Sequence, residues 1–190
     1  MNIQIKLAII AIVIVIPLSS FAVSQTNSSS QFSSNNDTKL QVITSANFLY
    51  EFSQNIGNEM IDVTLLVPMG VDPHDWEPTI KDTERIHRSD LIITNGIGYE
   101  HWIDSIHTSS YQGIIIDTSD GILIDHTDDH TDDHGSLDPH IWLNPVYAQL
   151  QVKTIANALS ISDPTNKNYY QSNAKIYIKE LDLLDSKIRN

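Results

Sequence analysis

From Lys39 onward, short apolar runs alternate with stretches whose apolar positions recur at helical spacing. Leu40 to Thr44 is a β-branched run, and Ser45 stands where it would cap a following helix. Met60 to Val67 reads as a second strand that ends at Pro68-Met69-Gly70. Thr79-Ile80-Lys81-Asp82 has the spacing of a capping box, with Pro78 just ahead, and predicts a helix to about His87. Leu91 to Thr94 is a third strand, punctuated by Asn95-Gly96. A short helix around Glu100 to His107 then leads to a fourth strand, Gly113 to Asp117. Asn144-Pro145 supplies a cap and a first-turn proline for a helix with the stripe Ala148, Val152, Ile155 and Leu159. Asp163-Pro164 repeats the start signal, and Tyr170, Ala174, Tyr177, Leu181, Leu184 and Ile188 step along a final helix by fours and threes. Strand–helix alternation of this kind predicts a doubly wound α/β lobe, a parallel sheet with right-handed crossovers and helices on both faces. The final helix, roughly 40 Å long at 1.5 Å per residue, has the length of an element that joins one body to another.

Upstream the pattern changes. Residues 1–22 carry Lys6, an apolar run from Leu7 to Leu18 and the small-x-small triplet Ser20-Phe21-Ala22, which is the layout of a secretory signal or an N-terminal anchor. Residues 23–38 are rich in Ser, Asn and Gln and read as a flexible tether. The expected organisation is therefore 1–22 signal or anchor, 23–38 tether, 39–160 α/β lobe and 161–190 the start of a long helix.

Charge narrows the function. The net charge of −13 argues against a nucleic-acid partner, whose phosphates call for a basic face. Cysteine is absent, so a metal site in this sequence must be built from His, Asp, Glu or water. The residues for one are present. Asp125 to Asn144 reads DHTDDHTDDHGSLDPHIWLN, and no Lys or Arg lies between Arg88 and Lys153. Neutral imidazole is the commonest metal ligand, and carboxylates add hard oxygens and negative charge.

Two histidines stand apart from the rest. Asp72-Pro73-His74 follows the second strand and Asp138-Pro139-His140 follows the fourth, so both reach the carboxyl edge of the sheet, where open α/β folds bind ligands. Each is followed by an aromatic, and each proline fixes the backbone before its imidazole. His74 and His140 are the candidate metal ligands. His126, His130 and His134 lie in an acidic stretch with no apolar residue to hold it down, and they are auxiliary, compositional metal binders. His87, His101 and His107 fall on predicted helices and read as surface or capping residues, and Glu77 and Glu100 as helix-start acids. Catalysis lacks a motif, since neither HExxH nor Gly-x-Ser-x-Gly occurs. A zinc-dependent hydrolase and a metal-buffering surface protein remain as the other two readings.

GVDPHDWEPT followed by DLIITNGIGYEHW is similar to the first signature of the zinc/manganese substrate-binding proteins of ABC importers, and DPHIWLNP resembles their second. The His- and Asp-rich stretch between them resembles the loop of the zinc-specific members. The resemblance spans about Leu40 to Asn190. It implies a clamp of two α/β lobes joined by one long helix, with the ion held between the lobes. His74 and His140 match two of the family's ligands, and a further His and an acid would come from a second lobe. The implied function is capture of zinc, with manganese as second choice, and delivery to an ABC-transporter permease. The protein would be extracytoplasmic, without catalysis, and a monomer when complete.

Overall fold

The computed structural model describes residues 39–107, 110–123 and 137–189. Among these, four strands form one parallel sheet: β1 (Leu40–Thr44), β2 (Ile61–Leu65), β3 (Leu91–Thr94) and β4 (Ile114–Asp117), in the order β2-β1-β3-β4. Between them run α1 (Asn47–Gly57), α2 (Ile80–Arg88) and α3 (Ile103–His107), and after them α4 (Pro145–Ser162) and α5 (Lys167–Arg189). The signal and tether residues, 1–38, and the loop histidines His126, His130 and His134 lie outside the described residues.

Side chains on a strand point alternately to the two faces of the sheet, and the core records it. Val42, Leu91 and Ile93 pack with α1, α4 and α5 on one face, whereas Ile43 and Ile92 pack with Ile86 of α2, Ile106 of α3 and Trp102 just ahead of α3 on the other. The sheet is covered on both sides, which makes the lobe doubly wound. Central β3 is buried throughout and so reads as an unbroken apolar run, while the two edge strands retain exposed positions.

Local signals read from the sequence mostly hold. Thr79 and Asp82 form a complete capping box on α2, and the Asn144 side chain accepts from the Val146 N–H at 2.9 Å to start α4. Strand β2 is shorter than its apolar run. Leu66 and Val67 are buried beyond the end of the ladder, so burial outlasts pairing there. Ser45 is not a cap. Ala46 precedes α1 without a side-chain cap, and the Ser45 hydroxyl serves another partner, described below.

Asp163 begins a 3₁₀ turn, Pro164–Asn166, before α5. Its carboxylate accepts from the Asn166 N–H at 3.3 Å, the Asn166 side chain at 2.7 Å and the Tyr170 hydroxyl at 2.6 Å, pinning α5 to the end of α4. The stripe on α5 is buried at Tyr170 and Ala174 and packs on the first core through Tyr177 and Leu181. Beyond it, Leu183, Leu184 and Ile188 are exposed at 55%, 46% and 64%. Burial pushes the Asp163 carboxyl up, but its hydrogen-bond donors together hold it below the ordinary value. A depressed folded pKa gives stability that is full above the unfolded value of about 3.9 and lost as pH falls through the lower folded value. Tyr170→Phe should therefore cost about 1–2 kcal/mol in urea unfolding at pH 7. The gap from the native chain should narrow as pH falls below about 4.

Candidate metal centre

Strand β1 lies between β2 and β3, so the chain leaves β1 toward one edge and later crosses back to the other. That reversal opens a crevice at the carboxyl ends of β1 and β3. Its floor is a buried polar network. After β3 the backbone turns through Gly96 (φ 85), Ile97 (φ 55) and Gly98 (φ 72), a left-handed stretch that suits glycine. At Gly96 the demand is double, because an added Cβ would strike the Asp117 carboxylate and the Ser119 hydroxyl of the neighbouring loop. This turn returns Glu100 to the end of β3. Its carboxylate accepts from the Asn95 N–H at 2.7 Å, the Gly96 N–H at 3.1 Å and the Ser45 hydroxyl after β1. Burial raises the Glu100 pKa, and these three donors pull it down without cancelling the rise.

A second branch reaches the His140 loop. The Asn95 side chain donates to the Pro139 carbonyl at 2.8 Å, and Gln151 of α4 donates to Asn95 Oδ1 at 3.0 Å and to Thr118 Oγ1 at 2.9 Å. Asn95, Thr118 and Gln151 are fully buried, so the residue ahead of His140 is fixed by groups that cannot turn to water.

On this floor the two Asp-Pro-His segments fold alike. Asp72 accepts from the His74 N–H at 3.0 Å, and Asp138 accepts from the His140 N–H at 2.9 Å. Each aspartate bonds to the backbone two residues on, the turn that a short acidic side chain makes best. Asp138 goes further and lies 2.6 Å from His140 Nδ1. The His140 backbone N–H, and then its ring, hold the Asp138 pKa below the ordinary value, so it stays an acceptor. This places Nδ1 against a carboxylate and Nε2 on the far side of the ring, the layout of carboxylate–histidine–metal arrangements.

The aromatics after each histidine anchor the two loops on opposite faces of the sheet. Trp76 packs edge-on against Trp102, with ring centres 5.2 Å apart, in the α2/α3 core. Trp142 stacks on Phe48 of α1 at 4.1 Å. A chain of rings then joins the two histidines. His74 meets Tyr99 at 4.9 Å, Tyr99 meets Trp142 at 5.2 Å, and Trp142 meets His140 at 5.2 Å. Burial, then the charges of Glu100 and Asp72, raise the Tyr99 pKa, so this spacer remains a neutral phenol. Among the described residues, no group of three or more His, Asp or Glu side chains converges on one metal position.

Several residues here differ from their sequence reading. Glu100 is not a helix-start acid, since α3 begins at Ile103 and the carboxylate binds the loops after β1 and β3. Glu77 is exposed, and the helix start it precedes is capped by Thr79 and Asp82. His87 is exposed on α2, as expected. His101 sits in a turn rather than a helix and lies near His74. The available signal for the network was Asn95-Gly96 directly after a buried strand, together with Gln151 beside the apolar stripe of α4.

The fold agrees with that of known proteins. Residues 42–190 match the family described as zinc-uptake complex component A, periplasmic, and the chain belongs to that family. It is 40% identical over 162 residues to the high-affinity zinc uptake system protein ZnuA of Bacillus subtilis, covering 80% of this chain and 51% of that protein. The manganese ABC transporter substrate-binding lipoprotein PsaA of Streptococcus anginosus is 32% identical over 158 residues, with 80% and 51% covered. The crystal structure of the metal-dependent lipoprotein YcdH from Bacillus subtilis superposes with a TM-score of 0.71 at 38% identity, covering 80% of this chain and 55% of that one. The chain thus spans about half the length of the curated relatives it matches.

The Glu100 carboxylate presents two oxygens to three donors, on Ser45, Asn95 and Gly96. Glu100→Ala leaves the Asn95 and Gly96 N–H groups buried without partners, and should cost roughly 3 kcal/mol in urea unfolding. Glu100→Gln aims an amide donor at one of them and should fall between Ala and native. A Gln variant as stable as the native chain would show that the charge contributes nothing to holding these loops.

Proposed function

We propose that this chain captures a divalent transition-metal ion, zinc in preference to manganese, for delivery to the permease of an ABC importer, and that it does so outside the cytoplasm without catalysis. The observation that carries the reading is the repeated Asp-Pro-His turn, which holds His74 and His140 along one edge of the sheet on a shared buried floor. Membership of a family whose relatives are named for zinc and manganese uptake supports it. Zinc is favoured because imidazole suits it better than it suits manganese, which prefers oxygen. Asp72 is already engaged by the His74 backbone, which argues against a free general base for hydrolysis.

Residues 39–160 act as the first lobe and 161–190 as the start of a linking helix, a reading supported by the exposed Leu183, Leu184 and Ile188 at the far end of α5. Ligands beyond the described residues complete the coordination sphere. The His126, His130 and His134 stretch adds capture capacity without setting the tightest constant.

His74→Ala and His140→Ala should each weaken zinc binding by at least about tenfold, or ~1.4 kcal/mol, because each removes a ligand. Replacing His126, His130 and His134 together should change stoichiometry instead. Calorimetry on these variants decides the matter, and a His74→Ala chain that binds zinc as the native does would end this assignment.

Acid should release the ion. An imidazole must be neutral to coordinate, and its unperturbed pKa is about 6.5, so zinc should dissociate as pH falls from about 7 to about 5. Asp138 stays ionised across that window because its pKa is lowered, so the loss would report the histidines. Affinity that is flat from pH 7 to 5 would assign the site to carboxylates.

A further inference from the structure

A third imidazole stands beside His74. The ring centres of His74 and His101 are 6.0 Å apart, with the planes inclined at 48°. That inclination is not a stack. Two imidazoles on one tetrahedral ion, each about 2.0–2.1 Å from nitrogen to metal, have ring centres roughly 5 Å apart. The observed 6.0 Å is about an ångström longer, a gap that rotation of the two side chains can close.

The approach of the two segments that carry the rings is set by buried contacts. His101 is exposed, but its neighbours in sequence are not, since Glu100 is 3% and Trp102 2% exposed. Glu100 is bolted to the ends of β1 and β3 through Ser45, Asn95 and Gly96. Trp102 packs against Trp76, two residues beyond His74, and Tyr99 packs against His74 itself. The two segments that carry the imidazoles therefore touch on both sides of the pair, and His101 is presented to His74 by a rigid frame.

We propose that His101 is a further ligand, sharing the captured cation with His74 and biasing the site toward borderline ions such as Zn²⁺ over the harder Mn²⁺. The inference rests on the capture function argued above. An added imidazole strengthens zinc more than manganese, because affinity at nitrogen ligands rises steeply from Mn²⁺ to Zn²⁺.

The test titrates the 190-residue chain with ZnCl₂ and, separately, MnCl₂. It compares native, His101→Ala, His101→Phe, His74→Ala and His140→Ala chains. As His101 is exposed, its variants should fold, and circular dichroism checks this. Both His101 variants should lose about tenfold in zinc affinity with little change for manganese. Zinc should also shift one imidazole nitrogen of His101 together with one of His74 in ¹⁵N NMR spectra. If His101→Phe binds zinc as the native does, the ring only packs and the ligand role is overturned. If both His101 variants are native-like while His74→Ala and His140→Ala fail, this inference falls and the capture reading stands. A native chain that binds neither ion overturns both.

Discussion

The buried carboxylate of Glu100 is the constraint on which the rest of the site depends. A parallel sheet delivers its loops to one edge but does not hold them there, and the crevice between β1 and β3 would otherwise be bounded by mobile ends. Glu100 joins those ends through Ser45, Asn95 and Gly96. Burying a carboxylate is costly unless its lone pairs are met, and here three donors meet them. The left-handed turn at Gly96, Ile97 and Gly98 exists to bring that carboxylate back to the end of β3. The same turn sets Tyr99 and His101 beside His74, so structural support and candidate ligation are linked in the six consecutive residues from Gly96 to His101.

From this floor the two histidine loops gain orientation by one device used twice. An aspartate accepts the N–H two residues on, a proline between them limits the backbone, and a tryptophan two residues past the histidine anchors the loop in a core. Because Trp76 and Trp142 enter different cores, the loops are held from opposite faces of the sheet while their histidines share its edge.

The α5 helix shows the same division along its length. Its first turns belong to the lobe, fastened by Asp163 and Tyr170 and packed through Leu181, whereas Leu183, Leu184 and Ile188 face outward. Among the described residues, no helix is long and apolar enough to cross a membrane.

By itself the sequence determined the alternation of strands and helices, the two-faced core and the caps at Thr79 and Asn144, because these follow from periodicity and from chemistry between residues close along the chain. It also marked His74 and His140, since the Asp-Pro-His turn is local and its aspartate bonds just two residues on. The tertiary structure alone decided the partners of Ser45, Asn95, Glu100 and Gln151, and the ring that stands beside His101. Ser45 and Glu100 each have a plausible local use as helix-end residues, and local rules give them that use. Their actual partners come from loops that only the strand order β2-β1-β3-β4 brings together. His101 shows the same limit. Position on a helix or turn says nothing of which ring lies opposite, and the approach of its segment to that of His74 is set by Trp76, Trp102 and Tyr99 packing across segments distant in sequence. Local chemistry is written in short spacings, whereas a shared site depends on which loops the sheet places side by side.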